Sequence, residues 1–473
     1  MKYPQFIFVR SFSRFFVLVV AVACLAAAAL AQNPVPQIVG PPKPMAVMPG
    51  SGAFTLTVYG ANFVPGAIVN WNYQTRATTF LSAHELQAQI LATDILTNTA
   101  GMITVTNPAP GGGSSSASWA QIEVHTPITT FSLGKQRTYG FGGWLVMSAD
   151  YTNSGILGLI GQSGDDLVLY DGSGKGVFQF QSIAGHFYDG AHGGVFGDFN
   201  GDGNLDLAYA AGYEGLPSSQ TNIVLGNGRG QFSVGSQIKG NVFFQWVVTG
   251  DFNRDGKLDL IISDSAIHVY LGNGNGTFTH FKDYKYGAYN MVVGDFNSDG
   301  ELDIAALGPS SSGDVLNIFF GNGDGTFQAP KMITALPGGA PCGIQNYLQT
   351  TDFNSDGNLD LVFCTDSQIG LVLGNGDGTF QQPTFLNAGT QRQFTFAVGD
   401  MNADGKPDLL ISQYNVSTDP QFAIFLGNGD GTFQLSQVMN LPQAELGITV
   451  GDFNSDGLPD FIIEDGGVLV YLQ

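Results

Sequence analysis

Six stretches of this chain gather carboxylates at fixed spacing. The first is Asp198-Phe199-Asn200-Gly201-Asp202-Gly203-Asn204-Leu205-Asp206, and copies begin at Asp251, Asp295, Asp352, Asp400 and Asp452. Each reads Asp, apolar residue, Asn, x, Asp, Gly, x, Leu or Pro, Asp. Oxygen-bearing side chains fall at positions 1, 3, 5 and 9, and glycine falls at position 6. A curled backbone brings positions 1, 3 and 5 together, and glycine permits the sharp turn. Hard cations such as calcium take six to eight oxygen ligands. Three Asp and one Asn supply most of such a set, and the backbone carbonyl of position 7 could add another.

An EF-hand would need a bidentate Glu at position 12 and flanking helices. Position 12 here is Tyr209, Ile262, Ala306, Phe363, Ile411 or Ile463, each inside a short apolar run that reads as a buried strand. The loops therefore join strands. Asp, Asn and Gly also favour turns without any metal. A plain turn, however, does not require three mutually repelling charges, and here the same carboxylates recur six times in register.

The elements that position these loops are repetitive. Successive loop starts lie 44 to 57 residues apart. After each of the first five loops come two apolar runs, and the second leads into a glycine turn. These turns span Leu225 to Phe232, Leu271 to Phe278, Phe320 to Phe327, Leu373 to Phe380 and Leu426 to Phe433. One repeat thus predicts four strands, the content of a propeller blade. A worn copy at Asp150 to Leu157 has lost the later acidic positions, and Leu169 to Phe178 carries a worn glycine turn. Counting it predicts seven blades over residues 127–473. The last repeat stops at Val468 to Gln473, before a fourth strand. Ile128 to Leu133 is the expected replacement, closing the ring. An eight-bladed ring or an open solenoid would leave that strand unexplained.

Residues 1–31 read as a secretory signal. Lys2, Arg10 and Arg14 precede an apolar run, and Ala29-Leu30-Ala31 forms a small-x-small cleavage site. An uncleaved anchor and a lipoprotein signal ending before Cys24 are the alternatives. No later segment reads as a membrane span. Residues 34–125 show short alternating strands such as Phe54 to Tyr59, separated by turn signals, which predicts a small β-sandwich. The whole is therefore expected to be all-β: a seven-bladed β-propeller preceded by a β-sandwich.

The formal net charge of −22 argues against nucleic acid or anionic membrane as a partner. Eighteen of the 39 acidic residues are the repeated aspartates of the six loops, so bound cations would offset much of that charge. Cys342 and Cys364 fall in one repeat; a disulfide and a buried free thiol are both open.

The Asp-Phe-Asn-x-Asp-Gly-x-x-Asp loops and Leu-Gly-Asn-Gly-x-Gly-x-Phe turns resemble FG-GAP/VCBS repeats, the blades of integrin α-subunit-type propellers. That resemblance covers residues 127–473 and implies calcium in each loop. Carried over, the ligands are Asp198, Asn200, Asp202, the carbonyl of Asn204, and Asp206; then Asp251, Asn253, Asp255, Lys257 (carbonyl) and Asp259; then Asp295, Asn297, Asp299, Glu301 (carbonyl) and Asp303. The remaining sets are Asp352, Asn354, Asp356, Asn358 (carbonyl) and Asp360; Asp400, Asn402, Asp404, Lys406 (carbonyl) and Asp408; and Asp452, Asn454, Asp456, Leu458 (carbonyl) and Asp460. Met401 departs from the usual Phe. Pro407 and Pro459 replace Leu and remove a backbone N–H. The N-terminal region resembles IPT/TIG immunoglobulin-like domains through Val58-x-Gly60-x-Asn62-Phe63-x-Pro65-Gly66 and Asn107-Pro108-x-Pro110-Gly111-Gly112. In that family such domains are often spacers or interaction modules.

Catalytic signatures are not found: His84-Glu85-Leu86-Gln87-Ala88 lacks the second histidine of a zinc-protease helix, and there is no nucleophile elbow or P-loop. His186 and His192 flank Tyr188 and Asp189, which reads as a metal or acid–base site or as exposed loop. A candidate ligand face is formed by Trp144, His192, Trp246, Tyr289, Tyr347 and Phe394, each a few residues before a loop. They would ring the channel mouth opposite the calcium loops and suit a glycan or an extracellular protein; the same residues also read as inter-blade core. Tyr213 to Ser218 and Tyr414 to Asp419 are further candidates as the longest variable loops. The expected function is a secreted, periplasmic or cell-surface adhesion or ligand-recognition protein with structural calcium. An extracellular lyase or glycosidase, or a purely structural surface protein, is the alternative.

Overall fold

The computed structural model describes residues 32–473 except 116–119, 135–136, 142–145, 187–190, 212–219, 241–245, 312, 337–347, 366–367, 387–393, 416–417, 441–446 and 465–466. The signal segment and Cys342 thus lie outside the described residues. The regular structure of the described residues is nearly all strand, with one short 3-10 turn at Ala92–Ile95. Among the described residues, no helix is long and apolar enough to cross a membrane.

Residues 34–125 form two sheets. In one, Phe54–Ala61 pairs with Glu85–Ile90 and with Gln37–Ile38. In the other, Thr99–Asn107 pairs with Ile68–Trp71 and Gln121–Val124. Alternate residues of both, including Leu56, Val58, Val69, Trp71, Ile103 and Ile122, share one buried cluster.

Seven four-stranded antiparallel sheets follow. The first runs Val146–Ala149, Gly158–Ser163, Asp166–Gly172 and Phe178–His186. The second runs Ala191–Gly197, Asp206–Ala211, Gln220–Gly226 and Phe232–Lys239. The third runs Trp246–Gly250, Asp259–Ser263, Ile267–Gly272 and Phe278–Tyr284. The fourth, fifth and sixth begin at Asn290–Gly294, Leu348–Thr351 and Phe394–Gly399. The seventh begins at Ile448–Gly451 and contains Asp460–Glu464 and Val468–Tyr471. The second strands are buried along their length in the second, third, fifth and seventh sheets, so they read as unbroken apolar runs. First strands touch between the second and third, third and fourth, fourth and fifth, and sixth and seventh sheets, and that of the seventh touches that of the first.

The fourth strand of the seventh sheet is Arg137–Tyr139, not Ile128 to Leu133. Arg137 pairs with Val470 and Tyr139 with Val468. Phe131 and Leu133 instead pack on the cluster of Phe461, Leu469 and Tyr471. An outer edge strand is half solvated and needs no apolar alternation, so Arg137-Thr138-Tyr139 carries little strand signal.

The two repeated motifs clasp neighbouring sheets together. The glycine turn of one sheet donates a backbone N–H to the position-2 carbonyl of the preceding loop: Gly276 to Phe199, Gly325 to Phe252, Gly378 to Phe296, Gly431 to Phe353 and Gly176 to Phe453. The rings follow, with Phe199 edge-on to Phe278, Phe252 to Phe327, Phe353 to Phe433 and Phe453 to Phe178. The Asp400 loop faces the seventh sheet, which has no glycine turn. There Gln473 Nε2 donates to the Met401 carbonyl at 3.1 Å, and position 2 needs no aromatic partner.

Candidate functional site

Each of the six acidic loops is folded by its own carboxylates. The position-1 carboxylate accepts two backbone N–H bonds. In the Asp251 loop these come from Asp255 at 3.0 Å and Gly256 at 2.9 Å. The same pair recurs at Asp198, Asp295, Asp352, Asp400 and Asp452. The position-3 Asn oxygen accepts from position 5 in the Asp251 loop, at 3.0 Å. Glycine at position 6 is left-handed throughout, with φ of 82° at Gly256, as the turn requires. Position 4 is left-handed too, although only Gly201 is glycine there; Arg254, Ser298, Ser355, Ala403 and Ser455 have φ between 57° and 62°. The sequence gives no sign of this because the residue type varies.

The position-9 Asp has a second task. Asp206, Asp259, Asp303, Asp360, Asp408 and Asp460 are all 0% exposed. One oxygen of Asp259 accepts from Phe252 N at 3.0 Å and the other from Gly272 N at 2.8 Å, tying the loop to the second hairpin. In the last repeat Gln473 N replaces the glycine as donor to Asp460. Pro407 and Pro459 leave these bonds intact, since position 2 still donates to Asp408 and Asp460.

Burial raises these acids. It pushes Asp259, Asp303, Asp360, Asp408 and Asp460 up to about 8 and Asp206 to about 7, with the neighbouring loop carboxylates adding to the shift. Asp295 and Asp400 rise to about 7, and Asp251 and Asp452 to about 6, again chiefly through burial. Among the described residues, the basic side chains bridging to loop aspartates are Lys43 on Asp352, Lys257 on Asp255 and Lys406 on Asp404. Three clustered carboxylates without matching positive charge form a donor set that fits a hard cation. Positions 1, 3, 5 and 9 and the position-7 carbonyl are the atoms available to hold it.

The worn copy keeps the turn without the acids. Asp150 accepts from Ser154 N at 3.0 Å and Gly155 N at 2.6 Å, and Asn153 is left-handed at 56°. Position 9 is Gly158, where a Cβ would meet the Tyr151 ring at 2.6 Å.

The N-terminal sandwich sits on these loops, which no sequence signal announced. Val35 N donates to Asp251 Oδ2 at 2.8 Å, and Asn62 Nδ2 to the Asp251 carbonyl at 2.9 Å. Tyr73 OH donates to Asp150 at 2.7 Å, and Lys43 pairs with Asp352. Gly457 abuts the Val124 and Thr99 backbone so closely that a Cβ would lie 2.6 Å from the Val124 carbonyl. Beside it, burial and then Asp452, Asp400, Asp460 and Asp456 hold the Glu123 carboxyl well above its ordinary value.

Between sandwich and sheets lies a cavity of about 460 Å³. First-strand residues such as Val248, Val292 and Thr350 line it, together with Gln37, Met45 and Glu123 of the sandwich. Of the residues expected at the far mouth, Trp246 begins its strand and donates Nε1–H to the Met291 carbonyl at 3.1 Å, bridging two sheets. Tyr289 OH donates to Asp314 at 3.4 Å. Trp144, Tyr347 and the side chains of His192 and Phe394 lie outside the described residues, as do Tyr188, Asp189 and Tyr213 to Ser218; the side chains of Tyr414 to Asp419 do too. His186 is exposed and pairs with Asp166. Cys364 is buried and disulfide-bonded.

Models of the FG-GAP-like repeat match residues 251–306, 352–411 and 414–463, and the FG-GAP repeat model matches residues 191–234. The chain carries FG-GAP repeats. The matched segments contain all six acidic loops whole. No curated protein matches the chain. Similar solved structures include a lectin from Agrocybe aegerita that recognises non-reducing terminal N-acetylglucosamine. It is 17% identical, covers 78% of this chain and 95% of its own, and has a TM-score of 0.47. An auxiliary nutrient binding protein from Bacteroides thetaiotaomicron is 11% identical, covering 93% and 98%, with a TM-score of 0.38. The WD40 domain of Toxoplasma gondii coronin is 12% identical, covering 73% and 88%, with a TM-score of 0.44.

Proposed function

We propose that the seven sheets are the blades of one seven-bladed propeller and that residues 34–125 are an immunoglobulin-like, IPT/TIG-type module seated on it. The protein is a secreted, periplasmic or cell-surface ligand-recognition or adhesion protein. Calcium, held in the six FG-GAP loops, neutralises buried carboxylates and so contributes its binding energy to folding. One observation carries this: each loop buries a position-9 aspartate completely beside two further aspartates, and among the described residues no loop has more than one lysine bridging to its three aspartates. Thermal unfolding of the mature protein with and without EGTA, alongside its calcium content, is the test. A large fall in Tm on chelation, with about six ions per chain, is expected from one ion per loop; unchanged Tm and no calcium would overturn it.

The ligand, a glycan or an extracellular protein, is assigned to the mouth opposite the loops, because the sandwich covers the loop face through Val35, Lys43, Asn62 and Tyr73. Trp246 and Tyr289 lie near that opposite mouth. A glycan array with the native protein and Trp246→Ala tests the glycan case. Binding lost in the variant supports it, binding unchanged by the variant removes this mouth, turnover of the bound glycan marks a lyase or glycosidase, and no binding leaves the structural reading.

A further inference from the structure

Among the described residues, the third sheet carries a cluster that its neighbours lack. His268 and Asp283 face each other across its third and fourth strands. His268 Nδ1 lies 2.7 Å from Asp283 Oδ1, and His280 Nε2 lies 2.7 Å from the same oxygen. One ligand atom from each of the three residues falls within 4.8 Å of the others.

A β-bulge makes this convergence. Residues three apart on a regular strand point to opposite faces. Val269 pairs with Lys282 and Tyr270 with His280, so Phe281 is the extra residue. That insertion turns His280 onto the face of Asp283. The repeat supplies its own comparison. The positions paired like His268 and Asp283 are Asn222 and Gln237 in the second sheet, Asn317 and Met332 in the fourth, and Ala423 and Val438 in the sixth. The blade therefore folds without these side chains, and its architecture does not explain them.

We propose that His268, His280 and Asp283 form a binding site for a borderline divalent ion of the zinc class, separate from the FG-GAP loops. Two imidazoles and one carboxylate select zinc-like ions over calcium, which prefers oxygen alone. Bond lengths of 2.0 to 2.1 Å set tetrahedral ligand atoms about 3.3 Å apart, so the two His–Asp283 contacts of 2.7 Å lengthen while the histidine nitrogens, within 4.8 Å of each other, settle at the same spacing. Asp283 is half-exposed and free to move. His268 Nε2 lies 3.0 Å from Asp264 Oδ1, an ion-pair contact that sets a buried carboxylate beside the ring's second nitrogen, where a metal-bound histidine usually has its supporting partner. Three protein ligands leave a fourth position open to water or to a donor from another molecule.

The test is equilibrium dialysis of the mature chain, made without a histidine tag and saturated with calcium, against zinc. One zinc per chain is expected. His280→Gln is expected to lose it, and Asp264→Asn to weaken it about 10- to 100-fold. His280 is half-exposed, so an unchanged melting temperature in calcium confirms that the variant is folded. No bound zinc, or equal binding by native protein and folded His280→Gln, would overturn the site.

Discussion

Val35 donates its backbone N–H to Asp251 Oδ2 at 2.8 Å, joining residues 216 positions apart. The same oxygen accepts from Gly256 N within the loop. A carboxylate proposed to hold calcium is thus also a docking point for the N-terminal sandwich, so the state of the loops and the seating of the sandwich should be linked. Chelation with EGTA is expected to speed proteolysis within the connecting stretch 126–134. Equal cleavage rates with and without calcium would separate the two.

Asp259 and Asp255 should behave differently. Asp259→Ala strands the buried N–H groups of Phe252 and Gly272, each at a cost of about 1–3 kcal/mol. Its Tm should fall in EGTA as well as in calcium. Asp255 is partly exposed and serves the loop alone, so Asp255→Ala should lower Tm chiefly in calcium. Calorimetry of both variants under both conditions reads this directly.

In EGTA, stability should fall as pH rises from 5 to 8. The position-9 carboxyls are raised from 3.8 to about 7 or 8, and Glu464 from 4.5 to about 8 by burial. A raised acid binds its proton more tightly folded than unfolded. Its contribution is therefore complete below the unfolded value and is lost as pH climbs to the folded one. Each such group costs about 1.4 kcal/mol per pH unit across that window. Glu464→Gln should flatten the profile; a slope of opposite sign in metal-free protein would refute the assignment. With calcium bound the trend should reverse, because acid then competes with the ion.

Backbone strain within the loops can be tested at two neighbouring positions. Ala403 is left-handed at 57°, a conformation costing a residue with a side chain about 1–2 kcal/mol. Ala403→Gly should be neutral or stabilise by up to about 1 kcal/mol, because added unfolded-state entropy offsets part of the relief. Gly405, at 86°, has open space where a Cβ would go, so Gly405→Ala reports conformation alone and should lower stability. Denaturant midpoints of the two variants should move in opposite directions or differ by at least that strain.

Much of this arrangement was legible in the residues. The glycine turns and the Asp-x-Asn loops repeat in register, and period fixes the four-strand unit without any tertiary knowledge. Arg137–Tyr139 was not legible, because an edge strand needs no apolar face. Nor was the partnership between each loop Phe and the next turn Phe, which only the stacking of sheets creates. That partnership explains Met401 after the fact: its neighbouring sheet has no glycine turn, and Gln473 takes over. The docking of Val35, Lys43 and Asn62 depends on contacts across 189 residues or more. The His268 cluster depends on one extra residue in a strand, and bulges leave little trace in composition.

The seventh sheet also has a mechanical consequence. Arg137 pairs with Val470 and Tyr139 with Val468, while Gly134 N bonds to the Leu472 carbonyl. The two chain segments enter this seam from the same end. Tension between the N-terminal sandwich and the C-terminal residues would therefore peel the seam. The Gly134–Leu472 bond would take the load first, then Arg137–Val470, one pair at a time. A chain held at the sandwich and at Gln473 would open here at low force, while the same seam pulled along its strands would share the load across all its bonds.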